Sequence, residues 1–288
     1  MPIFKALVPA AGFGTRMLPA AKAVPKEMLP ILNRPTIQYV LEEAVAAGID
    51  DVCMVVSADK KAIEDHFDHM GDLERRLADK GRLDYLASVF DVMSKSQVFS
   101  VRQREQLGLG HAVLQGKRHV GDEPFLCMLG DTIFSGGEKS PAQQLIEAQH
   151  AYGGSVIGLE KVPAEKVSRY GVAGGSMVAE GVMKIETFVE KPDPADAPSD
   201  LAIAARYALS PTIFPLLEET RPGKGGEIQL TDALLELCRR EPVHGVVLQS
   251  RRHDIGNPLD WLKTNLYLAS QDPELKNALT PLVRELFA

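Results

Sequence analysis

Between the first apolar run and residue 30, the chain gathers two glycines, a threonine and three cations. They read Ala10-Ala11-Gly12-Phe13-Gly14-Thr15-Arg16, then Lys22 and Lys26, with prolines at 19, 25 and 30. A glycine turn after a first strand brings backbone N–H groups close to phosphate oxygens. Three kinds of loop compete for that description. A dinucleotide loop wants G-x-G-x-x-G, yet Met17 holds the third glycine position, and residues 31–36, where an acid should follow, read ILNRPT. A Walker A loop wants G-x-x-x-x-G-K-[ST], which is absent. What remains is G-x-G-T-R backed by two lysines, a set of N–H donors and fixed cations suited to a nucleoside triphosphate. Each favourable charge contact at about 4 Å is worth ~4 kcal/mol at an effective dielectric near 20, before desolvation. Arg16 can fork across two phosphate oxygens, and Lys26 acts as a point charge. An ordinary turn with solvated lysines would explain the glycines, but not three cations set among prolines in an acidic chain.

Four further sets carry chemistry. Leu129-Gly130-Asp131 puts a carboxylate at the end of an apolar run, and His253-Asp254-Ile255-Gly256 puts a second one late in the chain. Two such carboxylates with phosphate oxygens and water are what Mg²⁺ prefers; the competing reading of each is a helix cap. Gln103 ends a strand-like run and is followed by Gly108 and Gly110; its amide offers one donor and one acceptor. Glu190-Lys191-Pro192 pairs an acceptor for vicinal hydroxyls with a cation, and Arg169-Tyr170-Gly171 offers a backbone that a ligand can approach closely. A surface ion pair is the alternative for Glu190 and Lys191. His66 and His69 lack a third ligand nearby and read as solvated, while His111 fits either a nucleotide contact or a helix start. No Ser/His/Asp or Cys/His set is present.

These residues need elements to hold them. Ile3 to Ala10 and Val52 to Ser57 read as buried strands, with a helix opened by Pro35 and stopped by Gly48 between them. Strands at Gln97 to Arg102 and Phe125 to Leu129 alternate with helices at Ala62 to Leu86, Ala112 to Arg118 and Ala142 to His150. This is the rhythm of a parallel sheet covered on both faces. Short β-like runs follow at Val156–Leu159, Val182–Val189 and Ala202–Leu209, which suggests antiparallel strands added to the sheet. Helices at Thr212–Leu217 and Ile228–Arg240, a strand at Val246–Gln249, and helices at Leu259–Ser270 and Pro273–Phe287 close the chain. The result is one α/β unit with a β-rich insertion and a helical tail.

The chain has 288 residues, 32 Lys and Arg against 39 Asp and Glu, and a net charge of −7. An acidic chain without a basic block is a poor nucleic-acid binder, so no nucleic-acid partner is expected. Cys53, Cys127 and Cys238 are far apart and form no CxxC pair, so neither a zinc site nor a disulfide framework is signalled, and reduced thiols fit a cytoplasmic protein. No apolar run reaches the ~18 residues of a membrane span, and the start lacks a signal-peptide layout.

The stretch GFGTRMLPAAKAVPKEMLP resembles the signature of the sugar-1-phosphate nucleotidylyltransferases, in its uridylyl form. VRQREQLGLGHAV, GDEPFLCMLGD, RYGV, FVEKP, GEIQLTDAL and HDIGN extend the resemblance to about Trp261. One departure is Ala21, where the family usually has Thr, which removes a possible hydroxyl donor. The resemblance implies a Rossmann-like mixed, mostly parallel sheet flanked by helices. A catalytic domain would span 1–265, with a nucleotide half at about 1–150 and a sugar-binding half at about 151–258, followed by a helical tail at 266–288. It implies that UTP and glucose 1-phosphate give UDP-glucose and pyrophosphate with Mg²⁺ as cofactor. The nucleotide would lie on Ala10, Ala11, Gly12, Gly14, Thr15, Arg16 and Lys26, with Gln103 on the uracil edge and Gly108 and Gly110 beside the base. Gly171, Glu190 and Lys191 would hold the sugar phosphate, and Asp131 and Asp254 the metal. Catalysis would fall to Arg16, Lys26, Asp131 and Lys191, in a homodimer or homotetramer. Two rivals stay open: the same chemistry with dTTP or another hexose 1-phosphate, and a non-catalytic sugar-nucleotide sensor.

Overall fold

A computed structural model describes residues 2–286. Its organising element is a nine-stranded sheet. The first strand, β1 (Lys5–Pro9), lies between two parallel neighbours, so both of its faces are buried and its sequence is almost wholly apolar. The chain leaves β1 through the glycine loop and three short 3₁₀ turns. A minimal hairpin, β2 (Pro30–Ile31) and β3 (Arg34–Pro35), leads into α1 (Thr36–Ala46), which buries Ile37, Val40, Leu41 and Ala44 along one stripe. Next come β4 (Asp51–Val56), α2 (Lys61–His66), α3 (Gly71–Asp79), α4 (Ala87–Lys95) and β5 (Gln97–Arg102). The single helix expected over 62–86 is therefore broken, first before Gly71 and again at Lys80-Gly81, where Gly81 takes φ 63°. The α4 helix was not anticipated.

The middle of the chain supplies α5 (Leu109–Gln115), α6 (Lys117–Val120), β6 (Phe125–Met128), β7 (Thr132–Ser135) and α7 (Pro141–Tyr152). The α7 helix opens on a Ser140–Gln143 capping box with Pro141 in its first turn. Then follow β8 (Ser155–Lys161), β9 (Gly171–Ala179), β10 (Val182–Glu190), β11 (Leu201–Leu209), α8 (Ile213–Glu219), α9 (Leu230–Leu237), β12 (Val243–Val247), β13 (Arg251–Asp254), α10 (Pro258–Gln271) and α11 (Pro273–Leu286). Phe287, placed in the last helix from sequence, lies outside the described residues.

The sheet order is β5-β4-β1-β6-β11-β8-β12-β10-β9. From β5 to β6 every pairing is parallel. From β6 onward the pairings are antiparallel except β8 with β12, so the β-rich segment joins the same sheet. The strand residues alternate between two cores. Leu7, Cys53, Phe125 and Cys127 face one layer, and Ala6, Val8, Val52, Met54, Leu126 and Met128 face the other. All three cysteines are free. Burial pushes the Cys53 and Cys127 thiols up to about 12, which keeps them inert. Among the described residues no helix is long and apolar enough to cross a membrane.

Outside the main sheet, β7 pairs antiparallel with β13. This two-stranded ribbon puts Asp254 opposite Thr132, beside Asp131, across more than a hundred residues of chain. The ribbon was not foreseen from sequence. Its strands are short, and β13 is largely charged, so it lacks the apolar run that marks a strand.

Candidate active site

Two cavities open at the carboxyl edge of β1 and β6, where open α/β sheets bind ligands. One, of about 490 Å³, is lined by Ala10, Ala11, Gly12, Gly14, Thr15, Lys26, Gln103 and Gly108. The other, of about 480 Å³, is lined by Arg16, Gly171, Glu190, Lys191 and Asp254. Asp131 lines both, together with Leu109 and Leu129. The carboxylate is therefore the polar group at the junction of the two.

In the first cavity the loop wraps around Lys26. Gly14 takes φ 65°, and a Cβ built on it would lie 3.3 Å from the Lys26 Cβ, so a glycine is required there. Ala21 packs against the same point. The Lys26 ammonium donates to Asp131 Oδ2. Burial works against that ammonium, but Asp131 and Glu27 beside it outweigh burial and raise it above the ordinary lysine value. Burial likewise pushes the Asp131 carboxyl up, and Lys26 overrides it and holds the group below the usual carboxylate range. Both partners are thus charged at neutral pH. Behind them Glu27 pairs with Lys60 at 3.1 Å, with both side chains 2% exposed. Burial raises the Glu27 carboxyl.

Gln103 is buried at the cavity wall. Its Nε2 donates to the Gly108 carbonyl at 3.1 Å and lies 3.1 Å from His111 Nδ1. His111 thus buttresses Gln103 and does not line the cavity. A Cβ on Gly108 (φ 101°) would meet Glu227 Cβ at 2.7 Å, so the close approach of the GEIQL segment explains this glycine. Gly110 lines neither cavity; its amide donates to the Ile228 carbonyl at 2.9 Å. Lys22 is exposed and lines neither.

In the second cavity Glu190 stands at the end of β10. Its Oε2 accepts from Thr231 Oγ1 at 2.7 Å, and its Oε1 lies 3.0 Å from Lys191 Nζ. Gly171 starts β9 directly opposite; a Cβ there would lie 3.2 Å from Glu190 Oε2. Arg16 reaches this cavity as well. A Cβ on Gly256 would lie 2.9 Å from Arg16 Nη2 and 2.8 Å from Asp254 Oδ1, which places guanidinium and carboxylate side by side. The Ile255 amide donates to the Asp131 carbonyl at 3.0 Å, so the backbone joins the two acids. Among the described residues no group of three or more His, Cys, Asp and Glu gathers as a metal cage. Two hard carboxylates on one cavity still fit Mg²⁺, which keeps water and substrate oxygens in its shell.

Sequence reasoning missed the support beneath Asp131. Arg206, 1% exposed, pairs with Glu43 at 2.8 Å and donates to the carbonyls of Ala205 at 3.0 Å and Thr132 at 2.9 Å, with Leu129 at 3.4 Å. One guanidinium therefore holds the chain on both sides of Gly130-Asp131. His66, read as solvated, is half-buried and bonded to Gln38 at 2.9 Å, so that reading is corrected.

A family model described as nucleotidyl transferase matches residues 5–271. A Bacillus subtilis protein named UTP–glucose-1-phosphate uridylyltransferase is 45% identical over 283 residues, covering 98% of this chain and 96% of its own. One of the same name from Staphylococcus epidermidis is 45% identical over 285 residues, covering 99% and 98%. A crystal structure of a UDP-glucose pyrophosphorylase complexed with UDP-glucose is 39% identical, with a TM-score of 0.87 over 94% of this chain and 100% of that one. A UTP-bound UGPase from Acinetobacter baumannii is 37% identical, with a TM-score of 0.90 over 99% of each chain.

Proposed function

The chain belongs to the nucleotidyl transferase family, among the UTP–glucose-1-phosphate uridylyltransferases, and on that basis we propose that it makes UDP-glucose and pyrophosphate from UTP and glucose 1-phosphate. One observation carries the site assignment: a single carboxylate, Asp131, sits where a cavity walled by a cationic glycine loop meets a cavity walled by Glu190 and Lys191. UTP fits the first cavity and glucose 1-phosphate the second.

A phosphate oxygen of glucose 1-phosphate attacks the α-phosphorus of UTP in line. The new O–P bond forms as the bond to the pyrophosphate oxygen breaks, and the leaving group takes that electron pair. The second pKa of a phosphate monoester is about 6, so the nucleophile is already mostly ionised at pH 7 and needs no general base. What the chain must supply is position and positive charge. Loop amides and Lys26 hold the triphosphate. Lys191 grips the sugar phosphate, and Glu190 accepts hydroxyl hydrogens with its orientation fixed by Thr231. Arg16, on the wall of the second cavity and next in sequence to Thr15 of the first, would face the reacting phosphates. Gln103, whose Nε2 already donates to Gly108, offers Oε1 to an imide N–H such as that of uracil. Asp131 and Asp254 would hold Mg²⁺, which when bound neutralises charge on the phosphate oxygens.

The same reading assigns 1–150 to the nucleotide and 151–258 to the sugar, with 266–288 as a tail. It places the enzyme in the cytoplasm as a homodimer or homotetramer and sends UDP-glucose into polysaccharide precursor synthesis. A panel of UTP, dTTP and other nucleotides against hexose 1-phosphates, with and without Mg²⁺ and scored by pyrophosphate release, tests it. The expected result is Mg²⁺-dependent turnover, highest for UTP with glucose 1-phosphate. Tight UDP-glucose binding without turnover would make the chain a sensor.

A further inference from the structure

A third cavity, of about 270 Å³, lies behind the sugar cavity and shares Arg169, Tyr170, Arg252 and Asp254 with it. Its remaining wall brings together cations from separate elements: Lys166 from the 3₁₀ turn before β9, Arg251 from β13, and Lys263 from α10. Two of its three acids are paired with arginines. Glu160 pairs with Arg252 Nε at 2.7 Å. Asp260 accepts from Asn257 Nδ2 at 2.6 Å and leaves Arg169 at 3.6 Å. Asp254 accepts from the Gly256 amide at 2.9 Å. Among the described residues, Lys166, Arg251 and Lys263 have no carboxylate within 4.0 Å. An otherwise acidic chain thus offers three unneutralised cations, with a loosely held arginine, to one small recess.

We propose that this recess binds the phosphoryl group of a small phosphorylated metabolite and thereby tunes the grip on the sugar phosphate. The ligand class follows from charge and size. Convergent lysines and arginines match a dianionic phosphate, and the volume is below the roughly 300 Å³ at which pockets for larger organic ligands begin. The coupling follows from the shared wall. The Arg252 guanidinium lies 4.3 Å from the Tyr170 ring centre and that of Arg169 lies 5.7 Å from it. The Tyr170 carbonyl accepts from the Lys191 amide at 3.0 Å, at a residue held at φ 47°. An anion that draws Arg169 and Arg252 toward itself moves Tyr170 and, through it, Lys191. The regulatory part of this inference rests on the catalytic reading above; the binding part does not.

The test uses the Lys166→Ala/Lys263→Ala double variant. Both side chains are exposed and line neither substrate cavity, so fold and basal turnover should match the parent. With saturating UDP-glucose filling the two substrate cavities, inorganic phosphate is titrated by calorimetry at constant ionic strength. The parent is expected to bind phosphate, and the double variant to bind it at least tenfold more weakly. In kinetics, added phosphate should shift the KM for glucose 1-phosphate more in the parent than in the variant, with the KM for UTP unmoved. No phosphate binding beside bound UDP-glucose, or equal affinity in the two proteins, overturns the site. Equal KM shifts overturn the coupling. Should UDP-glucose itself fail to bind, the catalytic reading fails alone, and phosphate titration of parent against variant still decides the recess.

Discussion

Lys26 is the residue on which site and chemistry meet most directly. It lies under the glycine loop and is paired with the carboxylate common to both cavities. Losing one preorganised donor of this kind typically costs about 10²–10³ in kcat. Lys26→Ala is expected to lose that much, measured with saturating substrates and Mg²⁺; turnover within tenfold of the parent would remove Lys26 from the mechanism. The Glu27–Lys60 pair one layer below is a different matter. Removing one partner of a buried pair costs about 3–5 kcal/mol when the other charge is left alone, but Glu27 keeps Lys26 at 4.0 Å. Lys60→Met should therefore lower the urea midpoint at pH 8 by less than that full cost. The loss should be smaller still near pH 5, because Glu27, already raised by burial, can take up a proton. The loop, Asp131, Glu190 and Lys191 were legible because their types recur in tight local order. Lys60, Glu43 and Arg206 were not. Each gains its meaning from a partner distant in sequence, 163 residues away for Arg206 and Glu43, and nothing in the sequence signals that partner even for Arg206, whose neighbours in β11 are apolar.

At the scale of elements, the buried strands of the parallel half were readable from their apolar runs. The strands that failed to read were β9, whose GVAGGSMVA carries three glycines, the two-residue hairpin strands β2 and β3, and the β7–β13 ribbon. That ribbon positions Asp254, and His253 inside it supplies a pH test. The ring donates to or accepts from Ser135 Oγ at 2.7 Å and packs 5.0 Å from the Tyr267 ring. Burial lowers its pKa to about 4, against roughly 6.5 for a free histidine. The folded state thus resists protonation. Stability is full above pH 6.5, falls as the pH drops toward 4 because the unfolded chain binds the proton first, and levels off below. Thermal melts of the parent should show this loss between pH 6.5 and 4, and His253→Gln should flatten that part of the curve. An unchanged slope in the variant would assign the acid sensitivity to other groups.

At the scale of the whole molecule, two cores on the two faces of one sheet explain why a chain with no disulfide keeps two cavities rigidly side by side. Leu259, Leu262 and Leu266 lie exposed along α10, at 60%, 49% and 46%, and Leu282 and Leu286 along α11 at 47% and 66%. If the chain assembles as proposed, such a stripe is where association is expected. Leu262→Glu/Leu266→Glu should shift the mass measured by light scattering toward the monomer; an unchanged mass would place the interface elsewhere. The pairing of β7 with β13 has a further outcome for how the protein comes into being. Every strand of the nine-stranded sheet is complete by residue 247, so a nascent chain halted at residue 250 would have its scaffold in hand. It would still lack Asp254 and the Ile255 amide that anchors the Asp131 carbonyl. A chain halted there would hold the walls of the first cavity without the second carboxylate, so Mg²⁺-dependent turnover is expected only once residues 251–255 have been added.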